Sequence, residues 1–180
     1  MKTKVLTLAA VCALFGGVTA FAQQSDVTTT ATLNVPLTVN ATAPLAFGNV
    51  TRGNETQIPA TSASAGAVSF SGDESDNITI TVPASTTIST TSGAGSNMTV
   101  DIDRANLRVN TTNAQGSASI LDASTGSATT GLSADASGDG TEADGMGQAY
   151  LWIGGSVTPS ATQQRGSYTG TFTVSAVYSN

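Results

Sequence analysis

The chain has 180 residues, enough for one domain with a sizeable core, and carries six Lys and Arg against twelve Asp and Glu, a formal net charge of −6, with no histidine and one cysteine. Without histidine, and with Cys12 inside an N-terminal apolar run, Ser-His-Asp and Cys-His catalysis, His- or thiolate-ligated metals and disulfides are excluded. The few scattered cations also argue against nucleic acid and anionic membrane surfaces, which are bound by clustered Lys and Arg.

In chain order, the first element reads as an export signal over residues 1–22. Lys2 and Lys4 form a positive n-region, residues 5–18 are apolar, and Ala20-Phe21-Ala22 is an A-x-A cleavage site before Gln23. Cleavage there removes both lysines and leaves Arg52, Arg104, Arg108 and Arg165 against twelve carboxylates, a net charge near −8. The product is expected in the periplasm, at the cell surface or outside the cell. Cys12 lies in the middle of the apolar run rather than at its end, where lipidation needs it. No later stretch reaches the ~18 to 20 apolar residues of a spanning helix, so no transmembrane segment is expected after cleavage.

From Val27 the odd positions read Val27, Thr29, Ala31, Leu33, Val35, Leu37, Val39 and Ala41, while Thr and Asn dominate the even ones; this is the period of a strand. At ~3.3 Å per residue the run would extend ~50 Å, beyond the ~40 Å diameter of a domain this size, so it is too long for one ordinary strand. Pro36 has no N–H for a sheet ladder and belongs at an edge or break. It divides an extended N-terminal arm, 23–36, from a domain over 37–180 whose first strand starts at Leu37.

Further strands are expected at 45–50, 67–71, 77–82, 98–103, 118–121, 148–153 and 167–178, separated by clusters of Gly, Ser, Asn and Asp. Seven or eight short strands with no helical pattern between them imply an all-β antiparallel sandwich. In the last of them Tyr168, Phe172, Val174 and Tyr178 share the inward face.

Four sets of residues invite a chemical reading. Asp135, Asp139, Glu142 and Asp144 lie in a glycine-rich stretch with the opening spacing of a calcium loop, yet Met146 stands where the bidentate acid belongs, so a solvated acidic turn is favoured over weak calcium binding. Tyr150 and Trp152 project from one strand face, as a sugar-stacking platform would, although core packing is the stronger reading. Leu151 and Ile153 make the opposite face apolar as well, which suggests cover by another subunit or an incoming arm. Asp101 and Asp103 have the separation of a glycosidase pair, but Arg104 and Arg108 nearby favour surface ion pairing. The many Ser and Thr lack a His or Lys base in the cleaved chain.

The tail Gly154-Gly155-Ser156, then Arg165-Gly166-Ser167-Tyr168-Thr169-Gly170-Thr171-Phe172-Thr173-Val174 up to Tyr178, resembles the closing signature of a family of secreted bacterial domains, domain-of-unknown-function family 4402. Leu45-Ala46-Phe47-Gly48-Asn49-Val50, Ile78-Thr79-Ile80-Thr81-Val82-Pro83 and Met98-Thr99-Val100 are similar to that family's earlier elements. The opening Phe-Gly element and the closing strand also resemble the spore-coat-U and chaperone-usher pilin group of immunoglobulin-like domains. That likeness implies an immunoglobulin-like, pilin-like sandwich missing a strand, whose groove is filled by the N-terminal arm of the next subunit. Val27, Ala31, Leu33 and Val35 would be the inserted residues, and Tyr168, Phe172, Val174 and Tyr178 the groove's closing strand. Pilins usually carry a disulfide near the first strand, and here the cleaved chain has no cysteine.

The resulting expectation is an exported, non-catalytic structural subunit of a surface fibre, pilus or coat, without a resident cofactor. Its partners would be copies of itself or related subunits and a periplasmic chaperone. The alternative is an extracellular carbohydrate-binding module using Tyr150 and Trp152.

Overall fold

The computed structural model describes residues 35–74, 76–90, 97–134 and 146–179. The expected signal, the arm up to Asn34 and the stretch holding Asp135, Asp139, Glu142 and Asp144 lie outside the described residues. From Asn34 onward the chain is one compact unit. Its strands are β1 (Thr38–Ala43), β2 (Thr56–Ile58), β3 (Gly66–Asp73), β4 (Asn77–Thr81), β5 (Ser85–Thr90), β6 (Asn97–Ile102) and β7 (Leu107–Asn110). They continue with β8 (Ser119–Leu121), β9 (Ser127–Gly131), β10 (Ser133–Ala134), β11 (Met146–Ile153), β12 (Gly155–Val157), β13 (Tyr168–Thr169) and β14 (Ser175–Tyr178).

The pairings are antiparallel and build three sheets. One runs β1-β3-β11-β7-β8 with β10 added on β11, a second runs β13-β5-β6-β12-β2, and a third runs β14-β4-β9. Period-two patterning explains the central strands. In β3 the even positions Gly66, Val68, Phe70 and Gly72 are buried while Ala67, Ser69, Ser71 and Asp73 are not. In β11 the register sets Leu151 against Val68 and Ala149 against Phe70, so both strands present one apolar face. Opposite them, β4 supplies Ile78 and Ile80 and β6 supplies Met98, Val100 and Ile102, and all of these join one core. The chain is therefore an all-β antiparallel sandwich, held by apolar side chains from two facing layers.

The structure has more strands than the sequence expectation, adding β2, β5, β7, β9, β10 and β12, and it differs at three of the expected ones. The first strand starts at Thr38, one residue later than expected. Residues 45–50 form no strand: Gly48 takes φ 64°, a left-handed value suited to glycine, and the Ala46 N–H donates to the Ser64 carbonyl at 3.0 Å. The closing strand is split, because Tyr168 and Thr169 pair with β5 whereas residues 175–178 pair with β4. Its two neighbours belong to different sheets, and residues 170–174 bridge them outside any ladder.

Candidate functional site

A cleft of about 940 Å³ among the described residues lies between sheet edges. One wall is β1, the end strand of its sheet, which offers Val39, Ala41 and Ala43; all six residues of this strand are exposed. The other wall is the closing segment, which offers Tyr168, Phe172 and Val174. The floor includes Met98, Val100, Ile153 and Val157, residues of the main core. Among the described residues, an apolar floor between an end strand and a segment outside any ladder has the form of a sheet position with no strand in it.

The burial pattern agrees with that geometry. Along the closing segment Phe172, Val174, Ala176 and Tyr178 are half-buried and the intervening Thr171, Thr173, Ser175 and Val177 are exposed. An inward face that stays half-buried still leaves apolar surface to be covered. Val39 keeps 38% of its surface in water, which is high for a valine on an inward-facing strand position.

Tyr178 closes one end of this arrangement rather than lining it. Its hydroxyl donates to the Val35 carbonyl at 2.8 Å and accepts from the Asp73 N–H at 2.9 Å. A side chain at position 72 would collide with that hydroxyl, so Gly72 makes the room for it. The phenol ties the closing strand to the point where the chain enters the domain. Tyr178→Phe is expected to cost about 1 to 3 kcal/mol in urea unfolding, the penalty of leaving part-buried backbone polar groups without their partner.

The aromatic pair on β11 is placed differently from a sugar platform. Tyr150 and Trp152 stack at 6.3 Å between ring centroids. Trp152 is only 6% exposed, packed in a small second cluster with Ala60 and Ala118. On this face of β11, Trp152 is covered by the chain's own segments around Ala60 and Ala118. Gln115 joins them, its Nε2 donating to the Ala60 carbonyl at 2.6 Å and to the Ser62 carbonyl at 2.9 Å. Ala67 and Ser69 stand opposite Trp152 and Tyr150 across the ladder, and their small side chains leave space for the rings. The Tyr150 hydroxyl donates to Gln148 Oε1 at 2.6 Å.

Among the acids, Asp103 accepts both Asn106 Nδ2 contacts at 3.1 Å, and Arg108 donates to the Ala118 carbonyl at 3.2 Å. Asp122 is held below the usual carboxylate range by the backbone N–H of Ser124, with the Ser124 side chain adding to the effect. It caps a local turn, with the N–H to Oδ1 distance 2.8 Å. No three metal-ligating side chains gather among the described residues, and no helix among them is long and apolar enough to cross a membrane.

Of the residues singled out from the sequence, Tyr168, Phe172 and Val174 line the groove, Tyr178 and Val35 meet at its end, and Val27, Ala31 and Leu33 lie outside the described residues. The opposite wall on β1 was not singled out. Its signal was present, since the alternation of the arm continues in phase through Val39 and Ala41.

A family model described as a domain of unknown function (DUF4402) matches residues 45–178. No curated protein matches the chain.

Proposed function

The chain belongs to the DUF4402 family, and from that premise we propose that this member is an exported structural subunit that polymerises by β-strand addition, the arm of one copy entering the groove of the next. The observation that carries this reading is the groove itself: a slot with an apolar floor between β1, the end strand of its sheet among the described residues, and the unladdered segment 170–174. An added strand would gain main-chain hydrogen bonds from those edges and bury alternate side chains on the floor.

The arm has the matching pattern and length. Val27, Ala31, Leu33 and Val35 fall on one face of an extended chain, with threonines on the other. Positions 27–35 and the groove wall 166–174 both span eight residue steps, ~26 Å when extended at ~3.3 Å per step. The fold in this reading is an immunoglobulin-like, pilin-like sandwich one strand short. Before assembly the same slot would be held by a strand from a periplasmic chaperone. The role is structural rather than catalytic, since the cleaved chain has neither histidine nor lysine to activate its hydroxyl groups.

The test is an SDS gel of the native surface fraction, boiled and unboiled, probed for this chain. A ladder that collapses to one band on boiling is expected, because strand-exchanged joints resist detergent until heated. A monomer band in both lanes overturns the reading.

A further inference from the structure

The two ends of the groove carry opposite charge. At the Tyr178 end the phenol bridges Val35 and Asp73, and the turn after β3 holds Glu74 and Asp76 beside them. At the other end Arg52 and Arg165 line a second cleft of about 420 Å³. Val50, Met98, Gly166 and Tyr168 line both clefts, so the arginine cleft opens directly from the end of the groove. The loop bearing Arg52 is fixed there by Gly53, whose N–H donates to the Pro159 carbonyl at 2.8 Å. These are two of the protein's four arginines in an acidic chain. Glu55, the nearest acid in sequence, is exposed and is not among the residues lining that cleft.

We propose that the strand-addition joint is ionic, the Glu74 and Asp76 end of one copy seated on Arg52 and Arg165 of the next, with the arm running antiparallel to the closing segment. This rests on the strand-addition reading and adds its charged joint. The arm passes through Pro36 straight into β1, so the donor domain sits wherever Val35 leaves the acceptor's groove. Were that the acceptor's Tyr178 end, two identical acidic faces would meet, and like charges across an interface oppose docking. That end is also where the acceptor's own Val35 is already bonded to Tyr178. At the opposite end carboxylates meet guanidinium groups. One such contact repeated at every joint is heterologous, which builds an open fibre when the rotation does not close.

The test uses the full cleaved chain and two charge-reversal pairs, Arg52→Glu with Arg165→Glu, and Glu74→Arg with Asp76→Arg. Each pair alone is expected to weaken assembly roughly tenfold to a hundredfold at low salt, and the chain carrying all four changes to recover most of it. Circular dichroism of each variant checks that the sandwich is intact. Assembly unchanged by either pair, or no recovery in a folded fourfold variant, overturns the joint.

A peptide of residues 23–36, acetylated at its N-terminus and amidated at its C-terminus so that neither end is charged, reports the direction separately. Its one charged side chain is Asp26, near its N-terminus. In the proposed direction Asp26 lies at the Tyr178 end, so the peptide should bind a Leu33→Asp chain equally with or without the two arginine reversals. Weaker binding to the arginine-reversed chain puts Asp26 at the arginine end and overturns the direction. No peptide binding at all overturns strand addition itself, and the joint with it.

Discussion

A chain carrying Leu33→Asp is expected to lose its detergent-resistant polymers while its domain stays folded, and Thr32→Asp is expected to keep them. The two substitutions add the same charge one residue apart, but an extended strand points neighbouring side chains to opposite faces. Position 33 falls on the apolar face of the arm and would enter the groove; position 32 would face water. Losing a buried leucine side chain removes about 1.5 to 3 kcal/mol, and placing a carboxylate against Val100, Ile153 and Val157 adds a desolvation cost. At 1.4 kcal/mol per tenfold, association should fall at least about a hundredfold. Boiled and unboiled gels with sedimentation of the unboiled samples read this out. Equal loss in both variants would show that the arm's charge matters and its alternation does not.

Phe70→Ala is expected to be the most damaging single change to the sandwich. Phe70 is 1% exposed on β3, with Val39 of β1 on one side of the ladder and Ala149 of β11 on the other. Truncating a phenylalanine in such a site costs about 3 to 5 kcal/mol, through lost transfer energy and the cavity left behind. For a domain of this size that lowers the melting temperature by roughly 10 °C, at ~2 to 4 °C per kcal/mol. The control is Ser69→Ala on the outer face, expected within about 0.5 kcal/mol of the parent. Thermal unfolding followed by circular dichroism separates the two. A loss below about 1 kcal/mol for Phe70→Ala would mean that the two layers do not close on this ring.

The strands readable beforehand were those whose own sequence alternates cleanly. β3, β4, β6 and β11 fall close to their expected bounds because Val68 and Phe70, Ile78 and Ile80, Met98 and Val100, and Ala149 and Leu151 each mark one buried face. β5 and β9 were not expected. Ser85–Thr90 has Ile88 as its one large apolar residue, and Ser127–Gly131 has none. Such segments are strands because neighbours bond them, β5 through β6 and β9 through β4, and a neighbour in space leaves no mark on local composition. Residues 45–50 failed in the opposite way. They are apolar enough for a strand, but Gly48 turns the chain and Leu45 and Phe47 pack on the core from a loop.

The candidate site divides along the same line. Alternation in the arm and in the closing segment marked which residues face inward, since the period of a pleated strand is written in sequence as apolar against polar. The sequence also carried the all-β class, and its lack of histidine rules out His-dependent catalysis and His-ligated metals. Which described strands end their sheets was decided only by the tertiary structure. That β1 ends its sheet, that 170–174 spans two sheets, and that Arg52 and Arg165 line one cleft though more than a hundred residues apart in the chain all depend on strand order. Strand order comes from the pairing of distant segments, and a period of two specifies a face without naming the neighbour.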